Sequence, residues 1–320
     1  MPRKLILDVD TGTDDAVALM LAALHPDLEL IGATTVNGNV PVDYCTENSL
    51  RVFDHIGIPV PVYEGVAKPI ERDDFPIPRG DIQSSNAVHG GYLDIPTSRS
   101  TKQAAGAVDF LIETYRAATE EIVLVPVGPL SNVATAIRKE PRLKDLVPEL
   151  VIMGGANRYG NVTPRAEFNV WADPEAARVV INSGIRTITL VPLDATHQAL
   201  VSLEDCAALR ALGTPAGDAA ATFTERRIKG YDTTQPMKRP NAAPVHDALA
   251  VASLVDPSVI TTHYLHVDVE TSGELTVGET VVDTNFRSRR EPNVHVALDA
   301  DERTFVAMLL ETFARTAAVQ

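Results

Sequence analysis

Short apolar runs that read as strands alternate with helical patterns through the first two-thirds of this chain, and that alternation leaves few folds open. Leu5 to Leu7 plus Val9, Leu28 to Val36, Val60 to Tyr63, Ile122 to Val127, Glu149 to Met153 and Thr187 to Val191 are strand-like. Between them Asp14 to Leu24, Asp43 to Ile56, Lys102 to Ala118, Ser131 to Lys139 and Pro174 to Asn182 carry helical spacing, the last with Asp173 as N-cap ahead of its proline. Parallel strands need crossover helices, so this order predicts an α/β protein: a Rossmann-like, open, mostly parallel sheet flanked by helices. Further on, Leu203 to Lys229 reads as helix broken around Gly213-Thr214-Pro215, and His246 to Leu254 as helix. Val259 to Ala300 has β character and Asp301 to Ala318 closes the chain as an amphipathic helix. Two polar stretches, about 64–98 and 230–244, show neither period and are predicted to be flap loops over a site. The 320 residues suffice for one large domain spanning 1–320.

Ligands of such sheets bind beyond the carboxyl ends of the strands, and the polar motifs fall there. Asp10 follows the first strand, Asn37-Gly38-Asn39 the second, Val127-Gly128-Pro129 a middle one, Gly154-Gly155 another, and Asp194 a fifth. The first is the densest: Asp8, Asp10, Asp14 and Asp15 crowd one strand-to-helix corner, with no Lys or Arg between Lys4 and Arg51. At an effective dielectric near 20, like charges about 4 Å apart repel by about 4 kcal/mol. Helix capping accounts for one or two of these acids but not for Asp10 as well. A hard, oxygen-seeking cation is the inference. His246-Asp247, at the start of a distant helix, adds an acid–base group and another hard ligand, as an ion needing 6–8 oxygens from several segments requires.

Asn161, Glu167 and Asn169 lie in a loop beyond Gly154-Gly155 and offer the mix of donors and acceptors that a polyhydroxylated sugar needs. His89, in the first flap, is placed to reach a substrate or to mark a turn. His263 and His266 are oddly spaced in a probable strand and read as structural or surface residues; Cys45 reads as packing on an amphipathic helix.

The formal net charge of −15 argues against nucleic-acid and anionic-membrane partners, and against a highly charged phosphate substrate. Cys45 and Cys206 are the only cysteines, so no disulfide framework or CxxC zinc site is available. The apolar stretch before Asp8 is too short for a signal sequence and no run reaches membrane-spanning length. A cytoplasmic enzyme is expected. Neither GxGxxG nor GxxxxGK[ST] occurs.

Taken together, these segments resemble the nucleoside hydrolase family of the inosine-uridine preferring type. Asp8-Val9-Asp10-Thr11-Gly12-Thr13-Asp14-Asp15-Ala16 is similar to its N-terminal aspartate signature, with Thr11 where the family commonly has Pro. Asn39, Val125 to Asn132, Met153-Gly154-Gly155, Ala166 to Asn169, Asp173 to Ala177 and His246 to Ala250 follow in the family's order. The resemblance implies a tightly bound Ca²⁺ held by Asp10, Asp15, Asp247 and the backbone carbonyl of Val127, where the family commonly has Thr. It implies ribose contacts from Asp14, Asn39, Met153, Asn161, Glu167, Asn169 and Asp247, with Phe168 and His246 facing the base, and a dimer or tetramer.

The expected reaction is hydrolysis of a ribonucleoside to ribose and free nucleobase through an oxocarbenium-like transition state. Ca²⁺ would hold the ribose hydroxyls and a water, Asp10 would be the general base, and His246 the candidate acid for the leaving base. Two other readings stay open on sequence grounds. One is a haloacid dehalogenase-type phosphatase, because Asp8-Val9-Asp10 resembles its nucleophile motif, although Thr11 interrupts it. The other is a catalytically silent nucleoside-binding protein. The sequence leaves purine against pyrimidine preference, and the roles of Tyr231 and Arg239, undetermined.

Overall fold

The computed structural model describes residues 2–76 and 88–315. Its strands are β1 (Arg3–Val9), β2 (Leu28–Thr35), β3 (Val62–Glu64), β4 (Ile122–Pro126), β5 (Leu150–Met153), β6 (Ile188–Val191), β7 (Leu200–Ser202), β8 (Ala242–Pro244), β9 (Ile260–Leu265), β10 (Val267–Val269), β11 (Thr280–Val282) and β12 (Val294–Ala300). The helices are α1 (Thr13–Leu24), α2 (Val42–Ile56), α3 (Ala107–Ala117), α4 (Ser131–Lys139), α5 (Leu143–Leu146), α6 (Phe168–Ala172), α7 (Pro174–Ile181), α8 (Leu193–Thr196), α9 (Leu203–Ala211), α10 (Pro215–Thr234), α11 (His246–Val255) and α12 (Glu302–Phe313).

Eight strands form one sheet in the order β3-β2-β1-β4-β5-β6-β12-β9. All neighbours are parallel except β12 and β9. β1 lies near the middle and is apolar on both faces up to Asp8, as a strand covered on both sides must be. Leu5, Leu7 and Val9 face a core shared with α1, α2, α10, α11 and α12, whereas Ile6 faces a second core under α3, α4 and α7. The sheet runs outward from β1 through β2 in one direction and from β4 in the other. The β1/β4 junction is therefore a topological switch point, where the loops diverge and leave a crevice. Asp10 leaves β1 and Val127 leaves β4 at this junction. Among the described residues, no helix is long and apolar enough to cross a membrane.

The expected Rossmann-like sheet is present, and α4 matches its predicted bounds. Asp173 caps α7 by accepting the Ala176 N–H at 3.0 Å. Most other bounds shift by one or two residues, and two helices differ by more. The helix expected from Lys102 starts at Ala107. A short helix, α6, occupies what was read as loop, because the Glu167 carboxylate caps it through the Asn169 and Val170 N–H groups.

The second flap is the main correction. Residues 230–234 continue α10 and Ala242–Pro244 form β8, so the loop shrinks to 235–241. Buried Ile228 and Tyr231 anchor that last turn in the core, and the Thr233 and Thr234 hydroxyls both donate back to the Gly230 carbonyl. Packing outweighs the poor helix propensity of this stretch.

Of the first flap, 77–87 lies outside the described residues. Its first limb is pinned to α7, with the Ile70 N–H on Asp173 and Arg72 paired with Glu175. Its second limb is clamped to α2 by Asn48, which is fully buried. Asn48 Nδ2 donates to the Gly91 and Thr11 carbonyls and Oδ1 accepts the Leu93 N–H.

Candidate active site

At the switch point the chain runs from β1 into α1 through a tight corner that fixes four carboxylates in different environments. Asp8 is sealed behind the site: its Oδ1 accepts the Thr34 hydroxyl (2.6 Å) and Asn132 Nδ2 (2.7 Å). Burial pushes its carboxyl up to about 7 despite both bonds. It does not line the cleft. A phosphatase needs its nucleophile open to substrate, so the phosphatase reading loses its key residue.

Asp10 lies between two glycines because nothing larger fits. A Cβ on Gly38 would stand 2.0 Å from Asp10 Oδ2, and one on Gly128 2.9 Å from Oδ1. The Asn39 backbone N–H donates to Oδ2 at 2.6 Å. Asp15, at the positive end of α1, takes the Asp10 N–H on Oδ1 (3.1 Å) and the Gly12 N–H on Oδ2 (2.9 Å), with Asn39 Nδ2 at 3.3 Å.

Asp247, in the first turn of α11, comes in from the other side. One carboxylate oxygen each from Asp14, Asp15 and Asp247 lie within 4.8 Å of one another, all buried. The tightest group thus contains Asp14, which sequence reasoning assigned to the sugar, while Asp10 adjoins it through Asp15. Burial first, then mutual repulsion, drives Asp10 and Asp247 well above the ordinary carboxylate range and Asp15 to about 7.

Asp14 and Asp247 line a cleft enclosing about 650 Å³ of space, part of it open to solvent, while Asp10 and Asp15 stay outside its lining. Asp14, Asn39, His89, Val127, Met153, Asn161, Glu167, Phe168, Asn169, His246 and Asp247 all line it, so every residue predicted to meet substrate converges there. Glu167 accepts N–H groups from Gly155 (2.7 Å), Asn169 (2.9 Å) and Val170 (3.2 Å), yet burial lifts its carboxyl to about 7. Asn169 Nδ2 donates to the Val127 carbonyl at 2.7 Å and to the Met153 carbonyl at 3.2 Å, tying the ends of β4 and β5 together. Asn161 Oδ1 accepts the Phe168 N–H, and the Phe168 ring rests edge-on to Phe75. His89 packs flat on Gly12, where a Cβ would meet its Nδ1 at 2.1 Å, and that nitrogen faces the Thr13 N–H at 3.4 Å. Burial lowers its pKa to about 4, so it is neutral.

The remaining wall was missed. Because α10 runs on to Thr234, Arg227, Tyr231 and the helix-ending Gln235 stack at four-residue spacing on one face, and all line the cleft. That i, i+4, i+8 spacing is visible in the sequence once the helix is extended. Arg227 is buried: Nε donates to the Pro244 carbonyl (2.9 Å) and Nη1 to the Thr13 hydroxyl (3.2 Å). Nη1 also lies 2.7 Å from Asp14 Oδ1, an ion pair not aligned as a hydrogen bond.

Tyr231 OH meets His246 Nε2 at 2.6 Å, and His246 Nδ1 meets the Thr196 hydroxyl at 2.7 Å. Burial, then Arg227, holds His246 well below the usual imidazole range. Both imidazole nitrogens are thus engaged by neighbouring hydroxyls. Arg239 is not in the cleft; it pairs with Glu302 on the surface. His263 is exposed on β9 and His266 bonds the Glu291 carbonyl, in line with structural or surface roles.

Comparison with known proteins agrees with this geometry. The family model of the inosine-uridine preferring nucleoside hydrolases matches residues 5–307. The chain is 38% identical to the inosine-uridine preferring nucleoside hydrolase of Leishmania major, over 98% of each chain. It is 37% identical to the pyrimidine-specific ribonucleoside hydrolase RihB of Escherichia coli (strain SE11), over 97% of this chain and 96% of that one. Among solved structures, the purine-preferring ribonucleoside hydrolase from Gardnerella vaginalis superposes with a TM-score of 0.88 at 35% identity, covering 98% of each chain. The chain belongs to the inosine-uridine preferring nucleoside hydrolase family and is an enzyme of that hydrolytic class.

Proposed function

We propose that the protein hydrolyses the N-glycosidic bond of ribonucleosides in a Ca²⁺-dependent reaction, giving ribose and a free nucleobase. The observation that carries this reading is the convergence of Asp14 and Asp15 with Asp247, from distant parts of the chain, beside a cleft that Asn39, Asn161, Glu167 and Asn169 also line. The donor set fits a hard cation: buried oxygens, no sulfur or imidazole among them, and a single guanidinium against four acids. On this reading Asp10, Asp15, Asp247 and the Val127 carbonyl hold the ion, with Asp14 at its edge. When bound, a divalent cation there neutralises the carboxylates, orients ribose hydroxyls and acidifies a water.

The chain's own residues do the rest. Asn39, Asn161, Glu167 and Asn169 grip the ribose hydroxyls. As the C1′–N bond stretches, positive charge grows on the sugar, and the surrounding carboxylates stabilise it from a fixed, water-poor setting. Asp10, held by Gly38, Gly128 and the Asn39 N–H, takes the proton of the attacking water. His246, braced by Thr196, presents the Tyr231 hydroxyl to the cleft, and Phe168 flanks the base. The catalytically silent alternative is disfavoured because every acid in this scheme is present.

Incubation with inosine, uridine, adenosine and cytidine in the presence of Ca²⁺, with reducing sugar assayed, tests the proposal. Release of ribose is expected, with Asp10→Ala inactive. No release from any of the four sinks it. Assembly as a homodimer or homotetramer, also proposed, is checked by light scattering on the eluted protein.

A further inference from the structure

The one permanent cation among the described residues lining the cleft is Arg227, and the reaction as drawn so far gives it nothing to do. Its placement is unusual. The guanidinium is 1% exposed on α10, and its Cζ lies 5.5 Å from the centroid of the Tyr231 ring. Nε and Nη1 are committed to Pro244, Thr13 and Asp14. Nη2 carries no hydrogen bond among the described residues, and it is not among the sealed, unpartnered atoms. Its two N–H groups are therefore uncommitted among the described residues, on a side chain that lines the cleft.

A guanidinium beside the sugar would repel the charge that develops at C1′. Beside the base it would do the opposite, because the departing base acquires the electron pair of the broken bond. Arg227 lines the cleft from the α10 face together with Tyr231 and Gln235, and its Nη1 is paired with Asp14. His246 has both ring nitrogens engaged and offers no free donor in its place.

We propose that Arg227, through Nη2, contacts the departing nucleobase and holds the negative charge spread over its ring nitrogen and carbonyl oxygen. This rests on the nucleoside hydrolase reading above and extends it to the leaving group. The C1′–N bond breaks and its electron pair stays with the base, which leaves as an anion against the guanidinium. The water oxygen bonds C1′ and its proton goes to Asp10. The guanidinium keeps all its protons, and the base is protonated by solvent after release. The substrates favoured are nucleosides whose bases carry a ring carbonyl, such as uridine and inosine.

The test pairs those nucleosides with p-nitrophenyl β-D-ribofuranoside, whose leaving group is already a stable anion and needs no such help. Arg227→Met is expected to lower kcat on uridine and inosine at least 100-fold while p-nitrophenyl riboside changes less than about 5-fold. Arg227→Lys, which keeps the charge but not the fork, is expected to show the same selectivity with a smaller loss, at least 5-fold. Thermal melting establishes which variants are folded, and Arg227→Lys carries the test if Arg227→Met is not. Equal losses on both kinds of substrate would assign Arg227 to the sugar or the Asp14 carboxylate and overturn the proposal, as would full nucleoside turnover in either folded variant. If the unsubstituted enzyme cleaves the p-nitrophenyl riboside and no nucleoside, the leaving-group assignment fails. If it cleaves neither, the nucleoside hydrolase reading itself has failed.

Discussion

Removing divalent cations should make the stability of this protein depend steeply on pH, in a direction opposite to ordinary acid denaturation. Burial and mutual repulsion raise Asp10, Asp15 and Asp247 in the folded protein, Asp15 from 3.8 to about 7. A folded-state pKa above the unfolded one means that the native protein binds protons more tightly. The associated stability is fully present below about pH 4 and is lost as pH rises through about 7. For Asp15 alone, a shift of about three units corresponds to about 4 kcal/mol. At roughly 2–4 °C per kcal/mol for a chain of this order, that is on the order of 10 °C in Tm. A cation opposes the trend because it binds the ionised carboxylates; at about 100 times its Kd it returns about 2.7 kcal/mol. Asp8 and Glu167, also raised to about 7, lie in both profiles and cancel in the difference. The assay is Tm between pH 5 and 8 in chelator and in Ca²⁺: the two curves should nearly meet at pH 5 and separate by several degrees at pH 8. Parallel curves, or no difference at pH 8, would falsify the view that these acids form a cation cage.

Three further outcomes follow from single contacts. Gly38→Ala puts a methyl 2.0 Å from Asp10 Oδ2, so kcat should fall at least 100-fold with Tm changed by only a few degrees; activity within threefold of the parent would free Asp10 from its assigned role. Asn48→Ala removes the three bonds that clamp Thr11, Gly91 and Leu93, at about 1 kcal/mol each, and should raise KM for nucleosides by loosening His89; an unchanged KM and Tm would refute the clamp. Thr196→Val frees His246 Nδ1 and should lower kcat roughly tenfold with little change in KM, measured in steady-state assays; unaltered kcat would show that the Tyr231–His246 pair holds without it.

What the sequence made legible was whatever depends on local period and on residues next to strand ends. The β1–α1 corner could be read because Asp10 follows an apolar strand and Asp14 opens a helix; the rule that ligands bind beyond strand ends then gathered Asn39 and Val127, and the oxygen count of a hard cation called in Asp247. The Arg227 wall could not be read, because helix propensity falls over Gly230 to Thr234 and nothing local reveals that Tyr231 is buried against the core. Ending that helix five residues early hid the alignment of Arg227, Tyr231 and Gln235, and turned a rigid wall into a supposed flap. The same reason limits what can be read of Asp8 and His246: sequence gives the type and order of groups, but burial and pairing set their surroundings. Asp8 is withdrawn by Thr34 and Asn132, one from β2 and one from α4. His246 is buried with its two nitrogens on Tyr231 and Thr196. The acid and amide part of the cleft is thus encoded near strand termini, where it is readable in a single chain. The Arg227–Tyr231 part is built from a helix face, whose contribution to the cleft depends on how long the helix persists.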